Sequence, residues 1–184
     1  MYDNNTTQGG APLTMMQLAG RGGLVMGLYY IVRFAIYVLA LGMPLLALLY
    51  AGLVIAAPFV CGLLAAFVRN RHLCGVMTFG QGFKFSFISM LFGGILEAAA
   101  QYVYFRYLDQ GRFVDGLYGY LSQLGSSGLG GDMLSSLRDV IDNFAAQPPI
   151  NIAMATFSNG IIWIFIIALF IGLILRRETP GRLV

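Results

Sequence analysis

The chain has 184 residues, of which 58% are hydrophobic and only 10% are charged, and its mean hydropathy is +0.76. Because a soluble domain normally carries about 25% charged residues, this composition excludes a soluble globular fold. The net charge of +3 is small and the cations are scattered between apolar runs, which also excludes a nucleic-acid-binding surface. We therefore expect an integral membrane protein whose main partner is the lipid bilayer.

Four apolar segments divide the chain. Each is long enough to cross a hydrocarbon core of about 30 Å as a helix that rises about 1.5 Å per residue. Lipid offers the backbone no hydrogen-bond partner, so helix is the only spanning form that these uninterrupted runs can adopt. The sequence predicts an all-α polytopic membrane protein, with a single domain over residues 1–184 and transmembrane helices at about 22–42, 44–68, 83–107 and 152–175.

The connection between the third and fourth spans, residues 109–149, is long and patterned. Its apolar residues recur at helical spacing in two stretches, which predicts two amphipathic helices. The glycine-rich segment 125–131 between them is interpreted as a hinge, because it lacks the strand and the Lys-Ser/Thr of a phosphate-binding loop. We expect the apolar faces to lie against lipid or the mouth of the bundle, with an outer lid or a partner-docking surface as the alternative. The apolar positions are Phe113, Leu117, Tyr120, Leu121 and Leu124 in the first stretch and Met133, Leu134, Leu137, Val140, Ile141 and Phe144 in the second.

The distribution of charge predicts the orientation. Arg69, Arg71 and Lys84 lie in or beside the connection between the second and third spans, where there is no acid. The connection 109–149 instead carries five Asp against two Arg. Since cytoplasmic loops are enriched in Lys and Arg, both termini are expected in the cytoplasm and the connection 109–149 outside.

Polar residues inside the spans predict a column through the bundle. Arg33 and Glu97 lie near mid-membrane on the first and third spans, and the cost of an isolated charge there favours an ion pair between them. Gln101 follows Glu97 on one stripe of the third span, which must face inward. Asn159 lies at a similar depth on the fourth span. The predicted column therefore contains Arg33, Glu97, Gln101 and Asn159, and it either holds the helices in register or forms a binding site or ion pathway.

Two pairs of small residues predict close helix packing. Gly23 and Gly27 form a Gly-x-x-x-Gly pair on the first span, and Ala47 and Ala51 form a similar pair on the second. Small residues at this spacing let two helices approach closely. We expect both pairs to pack within the subunit.

Residues suited to catalysis are few. His72, the single histidine, stands beside Arg71 in a basic loop, with no His-x-x-x-His pattern and no cysteine cluster to form a metal site. The serines of the spans have no histidine to activate them. The sequence therefore predicts no catalytic residue, no metal and no cofactor. A lipid-modifying enzyme is the least favoured class, because its usual histidine or clustered acids are missing.

Two motifs flank the third span. They are Thr78-Phe79-Gly80-Gln81-Gly82-Phe83-Lys84 before it and Tyr104-Phe105-Arg106-Tyr107-Leu108-Asp109 after it. With the order of the spans, they resemble a family of uncharacterised bacterial inner-membrane proteins, the domain of unknown function family 4199, over most of the chain. Gln110 stands where that family tends to place a proline. The resemblance implies four helices in a bacterial inner membrane, and it implies no activity, substrate or catalytic residue.

These observations leave two function classes open. The first is a non-enzymatic structural or accessory component of a membrane assembly, with a second copy of the chain or a larger membrane protein as partner. The second is a small transporter or channel subunit that uses the polar column, in an oligomer because four helices rarely enclose a pathway alone. Whether water reaches Arg33 and Glu97 distinguishes the two classes.

Overall fold

The computed structural model describes residues 14–41, 43–126 and 131–177. Four helices in this part of the chain are long and apolar enough to cross a membrane, which confirms the predicted all-α polytopic architecture. A π-helical turn extends the third of them, and two shorter helices follow before the last. The elements are α1 (Met15–Ala40), α2 (Pro44–His72), α3 (Phe79–Val103), the π-helical turn (Tyr104–Leu108), α4 (Arg112–Ser126), α5 (Gly131–Ala145) and α6 (Pro149–Leu175).

Capping residues set where α1 and α3 begin. The side chains of Thr14 and Thr78 each accept a hydrogen bond from the backbone N–H three residues later. In turn, the side chains of Gln17 and Gln81 accept hydrogen bonds of 3.0 and 2.9 Å from the backbone N–H groups of Thr14 and Thr78. These capping boxes start α1 and α3 several residues before the apolar runs predicted from 22 and from 83. Hydropathy marks the part of a helix that lies in hydrocarbon, whereas the cap marks where the helix itself begins.

Close contacts between small residues hold the bundle around α3, which packs against α1 on one side and α6 on the other. A Cβ atom added at Gly23 would lie 2.6 Å from the Cβ of Phe92, and one at Gly27 would overlap Leu96. The prediction that Gly23 and Gly27 pack within the subunit is therefore confirmed. On the other side, a Cβ at Gly82 would lie 3.2 Å from the Cα of Gly172, so these two backbones touch.

The two halves of the bundle differ in how densely they are filled. The half nearer the α2–α3 connection, here called the packed half, holds the apolar core. The β-bridge between Met77 and Arg177 closes its end through backbone bonds of 2.9 and 3.1 Å. The core cluster consists of Leu18, Ala19, Met26, Tyr30, Ala57, Cys61, Ala65, Val68, Met77, Phe85, Met90, Ile164 and Ile171.

The other half, here called the open half, contains the first part of α2. No side chain of residues 45–56 is buried, although the Tyr29 hydroxyl of α1 donates a hydrogen bond to the Leu53 carbonyl. Ala47 and Ala51 are exposed, so the prediction that they pack within the subunit is wrong. Burial begins at Ala57, because α2 meets the core only in its second part.

The connection between the third and fourth spans forms two amphipathic helices, α4 and α5, which confirms the prediction. We call this pair the cap. The glycine-rich hinge predicted at 125–131 lies partly outside the described residues, which omit 127–130. Aromatic contacts join the cap to the spans: the ring of Phe105 lies 5.3 Å from that of Phe113 and 5.8 Å from that of Phe144. The cap therefore closes over the open half.

A tight turn redirects the chain from α3 into the cap. Asp109 is buried, and its carboxylate accepts bonds from the Phe113 N–H at 2.8 Å and from the Tyr104 hydroxyl at 3.0 Å. Gln110 and Gly111 then adopt positive φ angles of 47° and 87°. Proline fixes φ near −65°, so it could not occupy position 110 in this turn. Gln110 is therefore compatible with this turn, whereas proline would not be.

Candidate functional site

An ion pair links α1 to α3 in the open half. The Nη2 atom of Arg33 lies 2.7 and 2.9 Å from the two carboxylate oxygens of Glu97, and the guanidinium stacks over the Tyr30 ring at 4.7 Å from its centroid. Each charged residue stands eighteen positions after the first residue of its helix. Because the first and third spans of a four-span protein run in the same direction, this equal spacing brings the two residues to the same depth.

The polar stripe of α3 faces the interior, which confirms that part of the prediction. Ser86 and Ser89 are fully buried, and Glu97 and Gln101 are 9% and 5% exposed. The Ser89 hydroxyl donates a 3.0 Å hydrogen bond to the Ala19 carbonyl on α1. Ser89 therefore ties α3 to α1 in the packed half, as the ion pair does in the open half.

Asn159 is the one predicted column residue that the structure places elsewhere. Its side chain is exposed on α6 and lines neither of the cavities described below. The buried face of α6 is set by Ala153, Ala168 and Gly172, and Asn159 lies well off that face at 100° per residue. Equal depth was the only argument for including Asn159, and depth does not determine the direction in which a side chain points.

Thr156 occupies the position on α6 that was expected of Asn159. It lines both cavities, and its hydroxyl donates a 3.0 Å bond to the Ile152 carbonyl of its own helix. Sequence reasoning missed this residue. One pattern in the sequence could have shown which face of α6 points inward. The small residues Ala153, Gly160 and Ala168 recur at helical spacing on that face.

Two cavities meet at the ion pair. One of about 520 Å³ lies between the spans and the cap, and the apolar faces of α4 and α5 form its roof. The other, of about 460 Å³, lies between α2 and α6. We call them the cap cavity and the side cavity. Both volumes fall in the usual range of small-molecule sites. The residues shared by both are Arg33, Glu97, Gln101 and Thr156.

The lining of the cavities is mostly apolar and aromatic. Tyr37, Tyr50 and Tyr120 bring hydroxyl-bearing rings to the cap cavity, and the Tyr37 and Tyr50 rings lie 4.9 Å apart. Tyr37 and Tyr50 were not predicted as site residues, whereas Tyr120 was predicted on the apolar face of the first amphipathic stretch. The site can therefore enclose an apolar group and offer hydrogen bonds to a polar one.

Groups for metal or acid–base chemistry are sparse in the part of the chain that the structure describes. There, no three His, Cys, Asp or Glu side chains lie close enough together to hold a metal ion. His72 is exposed at the end of α2, Cys61 is buried in the core and Cys74 is exposed in the following loop. None of the three lines either cavity.

Comparison with known proteins gives the family. The model of a family described as a protein of unknown function, DUF4199, matches residues 21–177. The chain belongs to this family. The match covers both motifs beside the third span, the cap, three of the four candidate membrane helices in full and α1 from residue 21 onward. No curated protein and no solved structure matches the chain. This member of the DUF4199 family is a multi-pass membrane protein, and its family description assigns no activity.

Proposed function

We propose that this protein is a non-enzymatic accessory component of a membrane assembly in a bacterial inner membrane, with both termini in the cytoplasm. The observation that carries the proposal is that no side chain of residues 45–56, the first part of α2, is buried. A helix whose side chains are buried within its own subunit along only part of its length leaves the remaining length free to contact a neighbour.

The outward face of α2 suits a second helix. Leu48 and Ile55 are 72% and 67% exposed, and a Cβ added at Gly52 between them would meet no atom within 4 Å. Small residues among larger apolar ones let a neighbouring backbone approach closely, and close packing is what drives helix association in lipid. The expected partner is a larger membrane protein or a second copy of this chain.

The chemistry of the cavities supports a non-enzymatic role. Their two charged residues, Arg33 and Glu97, are paired with each other. The described residues that line the two cavities include no histidine or cysteine. The transporter alternative is less well supported, because the core of the packed half lies between the cavities and the opposite end of the bundle.

Photo-crosslinking from α2 tests the proposal. A photoreactive amino acid replaces Leu48 or Ile55 in the full chain. The control is Ile162 on α6, which is 65% exposed and lies about as far from the start of its helix as Ile55 does. We expect protein adducts from the two α2 positions and only lipid adducts from Ile162. The adduct mass distinguishes a second copy from another protein. Lipid adducts alone at all three positions would contradict the proposal.

The orientation has its own test. Cys74 is exposed in the α2–α3 connection and Cys61 is buried, so the natural chain already carries one reporter thiol. In intact cells a membrane-impermeant thiol reagent should leave Cys74 unlabelled and should label a cysteine placed at Ser126 in the cap. The reverse pattern would invert the proposed orientation.

A further inference from the structure

Gln101 is a buried polar side chain with no hydrogen-bond partner in the described part of the chain. It is only 5% exposed and lines both cavities. Its amide makes no hydrogen bond to any residue that the structure describes, although it offers two donors and an acceptor. A polar group left unpaired in an apolar interior is costly, so a buried amide that faces a cavity calls for a ligand or water there.

Arg33 presents further free donors to the same space. Its Nη2 atom serves both oxygens of Glu97, while Nε and Nη1 have no hydrogen-bond partner among the described residues. The Arg33 side chain keeps 20% of its surface accessible and lines both cavities. Donors from Arg33 and the amide of Gln101 therefore converge where the two cavities meet.

The side cavity opens toward the hydrocarbon. Its lining includes Val54 on α2, which is 41% exposed, and Trp163 on α6, which is 66% exposed. Exposed residues on the walls of a cavity between two spans indicate that the cavity continues to the lipid-facing surface. An aliphatic chain could leave through this gap while a polar group stays at Gln101.

The charge of the site restricts the head group. Among the residues that the structure describes, Arg33 and Glu97 are the only charged ones that line either cavity, and they neutralise each other. A phosphate head would place excess negative charge beside Glu97 in a low-dielectric region. An uncharged head with hydroxyl or ester groups satisfies the free donors without that cost.

We propose that the two cavities bind an uncharged lipid of the glyceride type. Its hydroxyl- and ester-bearing head group binds at Gln101 and Arg33 beneath the cap, and its acyl chain lies in the side cavity and leaves between α2 and α6. This inference goes beyond the accessory role. It also uses a different surface, since Leu48 and Ile55 line neither cavity.

The test uses the full chain in phosphatidylcholine vesicles that contain a monoacylglycerol with a photoreactive acyl chain. Two variants alter the proposed binding site: Gln101→Leu removes the head-group contact, and Gly160→Leu fills the side cavity. A Cβ at Gly160 meets no atom within 4 Å, so the first atom of the new side chain causes no clash. The matched control is Asn159→Leu, which removes an intramembrane polar group outside both cavities. Thermal unfolding verifies that each variant is folded.

We expect labelling of the natural chain and of Asn159→Leu, and about tenfold weaker labelling of Gln101→Leu, as the loss of a buried hydrogen bond predicts. Labelling of Gly160→Leu should be weakened at least as much. If Gln101→Leu does not fold, the labelling of Gly160→Leu decides whether the proposal holds. The corresponding lysophosphatidic acid, which adds only a phosphate, should label the natural chain less. Equal labelling of the natural chain and both site variants, labelling at the level of the vesicle background, or stronger labelling by the phosphate lipid would overturn the proposal.

Discussion

The packed half and the open half of this bundle are built from the same four helices, yet one is filled and the other encloses two cavities. In the packed half, helices meet through glycines, as at Gly23 on α1 and at Gly82 against Gly172. In the open half, corresponding lengths of helix carry Arg33 and Tyr50. Since lipid provides no hydrophobic drive for helices to collapse together, close packing of small residues has to hold them. Where large polar side chains replace small ones, space remains between the helices.

The largest effect should come from removing one charge of the ion pair in the open half. Glu97→Gln leaves the Arg33 charge unpaired inside the membrane, and Arg33→Gln leaves that of Glu97. Each single change should lower the free energy of unfolding in mild detergent by about 3 kcal/mol. The double variant should recover part of the loss, because no unpaired charge remains. If the two losses simply add, the pair is not energetically coupled.

A pair of glycine variants compares the two halves directly. Gly23→Ala places a Cβ 2.6 Å from the Cβ of Phe92, which cannot rotate away. We expect it to lower the free energy of unfolding by about 2 kcal/mol through overpacking. Gly52→Ala in the open half meets no atom within 4 Å and should leave the thermal unfolding of the detergent-solubilised protein unchanged or slightly raised. Equal destabilisation by both would mean that the halves do not differ in packing.

Replacing two apolar residues of α5 should loosen the cap without affecting the spans. Leu137 and Ile141 contribute to the roof of the cap cavity, and changing both to Asp removes the apolar contacts of α5. The protein should remain inserted, because the spans satisfy their own backbone hydrogen bonds. Trypsin should cleave at the exposed Arg138 about tenfold faster.

A control for this prediction lies on the same helix. Ser136 and Asn143 are exposed on α5, and changing both to Asp adds the same charge without touching the roof. Trypsin cleavage of this double variant should match that of the natural chain. Loss of membrane insertion in the Leu137/Ile141 variant would show instead that α5 is needed to assemble the spans.

The smallest effect concerns the surface of the cap. The Tyr118 hydroxyl of α4 donates a hydrogen bond to Asp142 of α5, and this bond raises the pKa of Tyr118 above its usual value near 10. The pKa of Tyr118 is higher in the folded than in the unfolded protein. The stabilisation from its hydrogen bond is therefore fully present below the unfolded pKa and disappears as the pH rises through the folded pKa. Ultraviolet titration of tyrosine ionisation should therefore lose a late-titrating component in Tyr118→Phe. If Tyr118→Phe instead removes a component that titrates at the usual tyrosine pKa, the hydrogen bond between Tyr118 and Asp142 does not form.

Some features of the fold follow directly from local sequence. The four spans and both amphipathic helices were predictable, because hydropathy and helical spacing are properties of neighbouring residues. The inward stripe of α3 was predictable for the same reason: Ser89, Gly93, Glu97 and Gln101 recur every four residues on one helix. The predicted starts of α1 and α3 lie several residues too far along the chain, because the hydropathy of the runs says nothing about the capping boxes at Thr14 and Thr78.

The two errors concern residues whose direction is set by contacts with a second helix. Asn159 and Ala51 each have a sequence context that suits an inward position, and both are exposed. Their direction is fixed by how α6 and α2 rotate and where they meet α3, which depends on contacts with Gly172 and with the core from Ala57 onward. Neither contact can be read from the neighbouring sequence.

The sequence by itself determined that this chain crosses a membrane with four helices and that two opposite charges lie within it, because the cost of unpaired polar groups in lipid leaves few alternatives. Only the tertiary structure decided that Arg33 and Glu97 stand where two cavities meet, with Gln101 and Thr156 beside them. The physical reason is that membrane helices are placed by close packing between surfaces from distant parts of the chain. The cap cavity and the side cavity lie in the open half because that close packing does not extend there.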